Sequence, residues 1–384
     1  MRPAKPTRGS KRVAGKGPGT GARGPGASLD GHGAKASEPA WTHAHLLGLQ
    51  SLTGGEIRRV LRLSREYQHD APEAPQPVRQ PLAGKVVANL FFEDSTRTRM
   101  SFSLAAQRLG ARVVDLTSTD SSVNKGETIR DTAANVAAMG VDAMVIRHRS
   151  SGAAALVARA VGGAWGVSVV NAGDGKHEHP TQGLLDAYTF AESFGRLDTF
   201  DLSGLTMAIV GDVASSRVAR SDIAAVTALG GRVICVGPPT LVPESLRVLG
   251  CEVCHDLDEV IETVDAVNVL RIQFERHGGS GKAVATGAAP TGTAGARVGG
   301  VVLASANAPV ASVREYAELY GLSVRRADRM KPDAIILHPG PINRGVEMTA
   351  TVADSEKSVV LRQVGHGVAV RMAVLDLCLG VGRG

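Results

Sequence analysis

Short apolar runs of strand length alternate with helix-length segments along most of this chain, and that alternation constrains the fold more than any other feature. Val86–Phe92, Arg112–Leu116, Asp142–Ile146 and Val167–Asn171 read as strands, separated by helical patterns over Arg99–Leu109, Glu127–Met139 and Ala153–Val161. Strands joined in this way lie parallel and need cover on both faces. After a long helical run, Pro180–Phe194, a second series opens at Leu205–Gly211 and continues through Arg232–Val236, Glu252–His255, Ala266–Leu270 and Ala334–Leu337. The pattern predicts an α/β fold of two doubly wound parallel-sheet domains joined by helices. A helix over Gly54–Gln68 and a Pro-rich connector, Ala71–Pro81, precede the first series. The last helix, Leu361–Leu379, is too apolar for water and is expected across the domain junction or back on the first domain. Between Gly278 and Gly300 the chain is almost all Gly, Ala, Ser, Thr and Val, which reads as a mobile loop.

A chain of 384 residues can hold two cores, and with aromatics at 3% those cores must be built from Ala, Val and Leu. The net charge of +6 would suit a nucleic-acid binder, but all of it sits in residues 1–40, which hold eight Lys or Arg against Asp30 and Glu38. That segment is rich in Gly and Pro and reads as a basic, disordered extension, with no nucleic-acid role expected. Translation starting downstream is another reading of it. No run of about twenty apolar residues and no apolar secretory segment is present. With four cysteines that fit a reducing compartment, the expectation is a cytoplasmic protein without a membrane partner.

In open α/β sheets ligands bind at the carboxyl ends of strands. The first strand leads to Glu93-Asp94-Ser95-Thr96-Arg97-Thr98-Arg99, three hydroxyls and two guanidinium groups at the start of a helix, with Ser95 or Thr96 as its cap. Backbone N–H groups, helix dipole and fixed cations together suit a phosphate. The bland alternative is a capped helix with solvated arginines. The third strand delivers Arg147 and His148, and the fourth leads through Asp174 to His179-Pro180-Thr181-Gln182. In the second series the strand ends deliver Asp212 and Arg217, then Arg271-Ile272-Gln273, then His338-Pro339-Gly340-Pro341. Arginine dominates, and neither a nucleophile motif nor a paired-acid motif is present, which points to anion binding and electrostatic polarisation without a covalent intermediate.

These residues resemble the aspartate carbamoyltransferases of the aspartate/ornithine carbamoyltransferase family. The matching motifs are Phe92–Phe102, Asn124–Thr128, Asn171–Gly175 with His179–Gln182, Arg271–Gln273 and His338–Gly345. The resemblance runs from about Trp41 to the end and implies carbamoyl transfer from carbamoyl phosphate to L-aspartate, in pyrimidine synthesis, with no cofactor. It implies that Ser95, Thr96, Arg97 and Thr98 hold the phosphate, while Thr98, Arg147 and His179 face the carbonyl oxygen. Gln182 and the carbonyls of Pro339 and Gly340 would hold the carbamoyl NH₂. Arg217 would take the α-carboxylate of aspartate, and Arg271 with Gln273 its side-chain carboxylate. Arg99, Asp212 and Glu93 would support the site. Ser121 and Lys125 would reach into a neighbouring subunit, which implies a homotrimer with shared active sites. Higher assembly with dihydroorotase or regulatory chains is left open. The implied domains are 41–181 plus 361–384 for carbamoyl phosphate and 182–360 for aspartate.

Other signals are weaker. Cys251-Glu252-Val253-Cys254-His255 matches a haem-attachment pattern, but on a strand of a chain without an export signal it reads as a buried pair of ordinary thiols. His177-Glu178-His179 lacks further ligands for a metal, and Gly211-Asp212-Val213 lacks the glycines of a dinucleotide fingerprint. His148 reads as a strand-end histidine bonded to its own loop. Ornithine carbamoyltransferase shares the phosphate motif, but would be expected to carry acidic recognition residues and a Cys-containing last loop in place of Arg271-Ile272-Gln273 and His338–Pro341. A scaffold without catalysis is the alternative from a different class.

Overall fold

Two wholly parallel sheets organise the computed structural model, which describes residues 40–69, 79–117, 127–272 and 313–380. The first contains β1 (Val86–Phe91), β2 (Arg112–Thr117), β3 (Ala143–His148) and β4 (Ser168–Asp174) in the order β2-β1-β3-β4. The second contains β5 (Thr206–Val210), β6 (Arg232–Val236), β7 (Glu252–Cys254), β8 (Ala266–Val269) and β9 (Ile335–Leu337) in the order β7-β6-β5-β8-β9. Every residue of β4 and β5 is buried, as strands covered on both faces require. In each sheet the order reverses beside the first strand of its series, β1 or β5. That is where open α/β sheets make their crevices.

Helices α2 (Thr96–Arg108), α3 (Ile129–Ala138) and α4 (Ala153–Trp165) link the strands of the first sheet, and α6 (Arg217–Ala228) and α7 (Leu257–Val260) those of the second. Between the two series runs α5 (Pro180–Ser193), buried at every position from Pro180 to Ala191. It packs on α1 (Gly54–His69), α6 and the last helix, α11 (Val360–Gly380). α11 also packs on α1 and α2, so the end of the chain returns to the first sheet as its apolar sequence predicts. The remaining helices, α8 (Val313–Tyr320), α9 (Val324–Arg329) and α10 (Ala350–Ala353), flank β9.

Two boundaries and one cysteine motif differ from the sequence pattern for local reasons. α2 starts at Thr96, three residues before Arg99, because Ser95 is the extended residue that precedes it, at φ −162° and ψ 91°. α4 continues through Gly162 and Gly163 to Trp165, and Gly166 ends it in the left-handed region. Gly162 is a packing residue rather than a stop: a Cβ there would lie 2.6 Å from Nε2 of His45. The haem-like motif does not form a buried thiol pair. Cys251 is buried, but Cys254 is half-buried because β7 is a short edge strand.

The N-terminal extension, most of the Pro-rich connector and the 278–300 loop lie outside the described residues, as do Ser121, Lys125 and Gln273. Among the described residues no helix is long and apolar enough to cross a membrane.

Candidate active site

Residues at or just after the carboxyl ends of β1, β3, β4, β5, β8 and β9 line one cleft of about 580 Å³. It gathers Ser95, Thr96, Arg97, Thr98, Arg147, His179, Gln182, Arg217, Arg271, Pro339 and Gly340, every described residue that the sequence singles out for substrate contact. Glu93 and Asp212 line it too. Arg99 and His148 do not, and His148 bonds to its own loop, accepting the Ser150 N–H on Nδ1 at 2.9 Å.

The floor is the start of α2. Ser95 makes no side-chain bond to a backbone N–H; its hydroxyl donates to Oγ1 of Thr98 at 3.0 Å. The first-turn N–H groups of a helix have no intrahelical partner, so this terminus presents donors and positive dipole to a ligand. Arg97 adds charge beside it. Its guanidinium lies against Gly340, where a Cβ would collide with Nη1.

Two further guanidinium groups meet above Gly173, whose φ of +112° and missing side chain admit both: a Cβ there would lie 2.9 Å from Nε of Arg217 and 3.1 Å from Nη1 of Arg147. Arg147 donates from Nη1 to the Ala172 carbonyl at 3.0 Å. Arg217 forks onto Glu93, Nη1 to Oε2 at 2.8 Å and Nη2 to Oε1 at 3.0 Å. Since Glu93 follows β1 and Arg217 opens α6, this pair ties the two sheets across the cleft.

His179 caps the N-terminus of α5, with Pro180 at the first helical position. Its backbone N–H donates to Oγ of Ser221 at 3.0 Å, and that hydroxyl donates to Oε2 of the buried Glu178 at 2.9 Å. Burial, with Arg147, Arg371 and Arg217 nearby, drives the imidazole pKa well below its usual value. His179 is therefore a neutral ring, able to donate a hydrogen bond without carrying charge. The neighbouring His177 turns away to Asp174, at 3.0 Å, so His177-Glu178-His179 splits among three partners. Among the described residues no group of His, Cys, Asp and Glu is placed to hold a metal ion.

His338 braces the opposite wall. Its Nδ1 accepts the Gly340 N–H at 2.7 Å, which leaves the proton on Nε2 to face Oε1 of Glu347 at 3.3 Å. Sequence reasoning missed Ser101, Gln363 and Arg371, which also line the cleft. Arg371 is buried, donates from Nη1 to Oγ of Ser101 at 2.8 Å and stacks 5.1 Å over the Phe102 ring. Burial brings its pKa down to about 10, so it stays charged at neutral pH. The signal available was an isolated arginine in an otherwise apolar stretch of α11.

Comparison with known proteins agrees with this geometry. Residues 44–192 match the carbamoyl-P binding domain of aspartate/ornithine carbamoyltransferase, and residues 301–378 match its Asp/Orn binding domain. The aspartate carbamoyltransferase catalytic subunit of Myxococcus xanthus is 48% identical over 87% of this chain and 99% of its own length. That of Gluconacetobacter diazotrophicus is also 48% identical, over 90% of this chain and 97% of its own. Among solved structures, aspartate transcarbamoylase from Trypanosoma cruzi in complex with carbamoyl aspartate and phosphate superposes with a TM-score of 0.70 at 26% identity, covering 89% of this chain and 98% of that one. Ornithine carbamoyltransferase from Pyrococcus furiosus gives the same TM-score, identity and coverage. From the two parallel sheets, the cation-lined cleft at their carboxyl ends and relatives that match almost end to end, it follows that this chain belongs to the aspartate/ornithine carbamoyltransferase family.

Proposed function

We propose that this chain transfers the carbamoyl group of carbamoyl phosphate to the amine of L-aspartate, giving N-carbamoyl-L-aspartate and phosphate in de novo pyrimidine (UMP) biosynthesis. The observation that carries the reading is one cleft with an open helix N-terminus on one sheet and Arg217 and Arg271 on the other. A phosphate and a dicarboxylate fit that division of charge. The carbamoyl-phosphate half comprises 41–181 with 361–384, and the aspartate half 182–360.

Ser95, Thr96, Arg97 and Thr98 hold the phosphate. Arg147, Thr98 and neutral His179 direct donors at the carbonyl oxygen, whose negative charge grows as the amine nitrogen attacks the carbon and the bond to phosphate breaks. Each such donor lowers the barrier by about 3 kcal/mol in comparable sites. Gln182 and the Pro339 and Gly340 carbonyls hold the carbamoyl NH₂ and so aim the carbon. Carbamoyl phosphate is already activated, so orientation and charge complementarity are sufficient chemistry.

Arg217 takes the α-carboxylate of aspartate; its bidentate grip on Glu93 is the geometry such a ligand needs. Arg271, with Gln273, takes the side-chain carboxylate. Ser121 and Lys125 arrive from a neighbouring chain in a homotrimer. Supporting that assembly, Met100 and Leu104, one turn apart on α2, are 59% and 40% exposed, and Val114 on edge strand β2 is 54% exposed. The chain works in the cytoplasm, where its four free thiols stay reduced.

The test offers L-aspartate and L-ornithine in parallel to the parent protein and to Arg271→Ala, with carbamoyl phosphate as donor. The expected result is carbamoyl-aspartate from the parent and a kcat/KM for aspartate at least about 100-fold lower in the variant, as loss of a buried charge partner implies. Turnover with ornithine, or with neither amine, would overturn the assignment.

A further inference from the structure

Helices α5 and α6 touch at Gly183, where a Cβ would lie 2.6 Å from the Ser221 carbonyl oxygen. That close approach sets Asp186 of α5 beside Asp222 of α6, both fully buried. Oδ1 of Asp186 accepts from Nε2 of Gln182 at 3.0 Å and from Nε2 of Gln363 at 2.5 Å. Oδ2 of Asp222 accepts from Nδ2 of Asn268 at 2.8 Å. The other oxygen of each carboxyl is buried with no other partner, and the two groups hydrogen-bond to one another. Two carboxylates cannot do so without a proton between them.

Asp222 holds that proton. Burial and the neighbouring Asp186 charge raise its pKa well above the usual carboxylate range. Asp186, raised by burial to about 6, has two amide donors and nearby Arg371 to stabilise its charge and is ionised at neutral pH.

An ionised carboxylate only accepts, so both glutamine amides must turn their NH₂ groups toward Asp186. Gln182 is then left with Oε1 as the polar end available to the cleft it lines. Gln363 is left with Oε1 for the His338 N–H, which it accepts at 3.1 Å at the root of the Pro339–Gly340 turn. One carboxylate oxygen therefore sets acceptors on two sides of the same place. An acceptor there suits an NH₂ group and offers nothing to a methyl group.

We propose that Asp186 is the positioning residue that fixes the amide of Gln182, and through Gln363 the Pro339 turn, so that the cleft distinguishes the carbamoyl NH₂ of carbamoyl phosphate from the methyl of acetyl phosphate. The proposal rests on the reading of Gln182 and Pro339 as carbamoyl ligands. Asp186 itself does not line the cleft.

Titration calorimetry on the full chain with carbamoyl phosphate, acetyl phosphate and inorganic phosphate tests this in the parent, Asp186→Leu and Asp186→Asn. The parent should favour carbamoyl over acetyl phosphate by about tenfold or more, the worth of a satisfied buried hydrogen bond. Leucine matches the size but has no acceptor, so the ratio should fall to within about twofold of unity, with inorganic phosphate binding within about twofold of the parent. Asparagine can accept from both glutamines while donating to Asp222, and should restore the parent ratio. The proposal is overturned by a leucine variant that keeps the parent ratio or loses all three ligands together, by an asparagine variant that behaves like leucine, or by a parent that binds both acyl phosphates equally. If the leucine variant does not fold, the asparagine variant decides: the parent ratio supports the proposal and a collapsed ratio overturns it. Binding needs no turnover, so a chain that discriminates but fails to carbamoylate L-aspartate would count against the proposed function alone.

Discussion

At Gly340 a hydrogen atom stands where a methyl would press on the end of Arg97, and the backbone φ of +67° adds a second reason for glycine. Arg97 can swing aside, so Gly340→Ala should fold. We expect a KM for carbamoyl phosphate raised about tenfold, from a displaced guanidinium worth about 1.5 kcal/mol or more to a charged ligand. Steady-state kinetics beside a melting curve would check it; an unchanged KM would mean that Arg97 acts from another position. The residues legible in the sequence, Ser95 to Thr98, Arg147, His179, Arg217 and Arg271, share a property. Each is a polar group at or just after the end of an apolar strand, where chain direction alone points it at the crevice. Asp186 and Arg371 were not legible because α5 and α11 are covered on most sides. A helix buried all round carries no polar face to say where a charge will point.

The contact of α5 with α6 makes stability depend on pH. In the unfolded chain Asp222 loses its proton near the ordinary aspartate pKa, whereas in the folded protein its pKa is raised, so folding takes up a proton between those values. Stability from this group therefore falls as pH rises through that window. Asp222→Asn keeps both hydrogen bonds, accepting from Asn268 and donating to Asp186, without the proton uptake. Urea denaturation should give parent and variant equal stability near pH 4, about the ordinary aspartate pKa, and a growing advantage to the variant at higher pH. A constant difference across pH would place the proton elsewhere. Element type was legible for all nine strands and for the three crossover helices of the first sheet, since most of those segments are bounded apolar runs. β7 and β9 are only three residues each, yet Glu252–His255 and Ala334–Leu337 found them. α6 was not anticipated as a helix. Four of its seven apolar positions are alanine and its face carries Arg217, Ser221 and Asp222, buried because polar partners from other elements meet them.

At the scale of the whole molecule, the proposed trimer makes a prediction separate from the cleft's own chemistry. Sedimentation of the parent should report a particle of three chains, and Met100→Glu with Leu104→Glu should shift it to one while carbamoyl transfer falls to background. A verified monomer with full activity would contradict shared sites. The return of α11 to the first sheet has a consequence in time. Chains leave the ribosome amino end first, and early domains begin folding while later residues are still being added. Here Gln363 and Arg371, which line the same cleft as Ser95 to Thr98, are made only after every strand of both sheets. A nascent chain that has displayed both sheets still lacks one wall of its anion site, so ligand capture waits for α11.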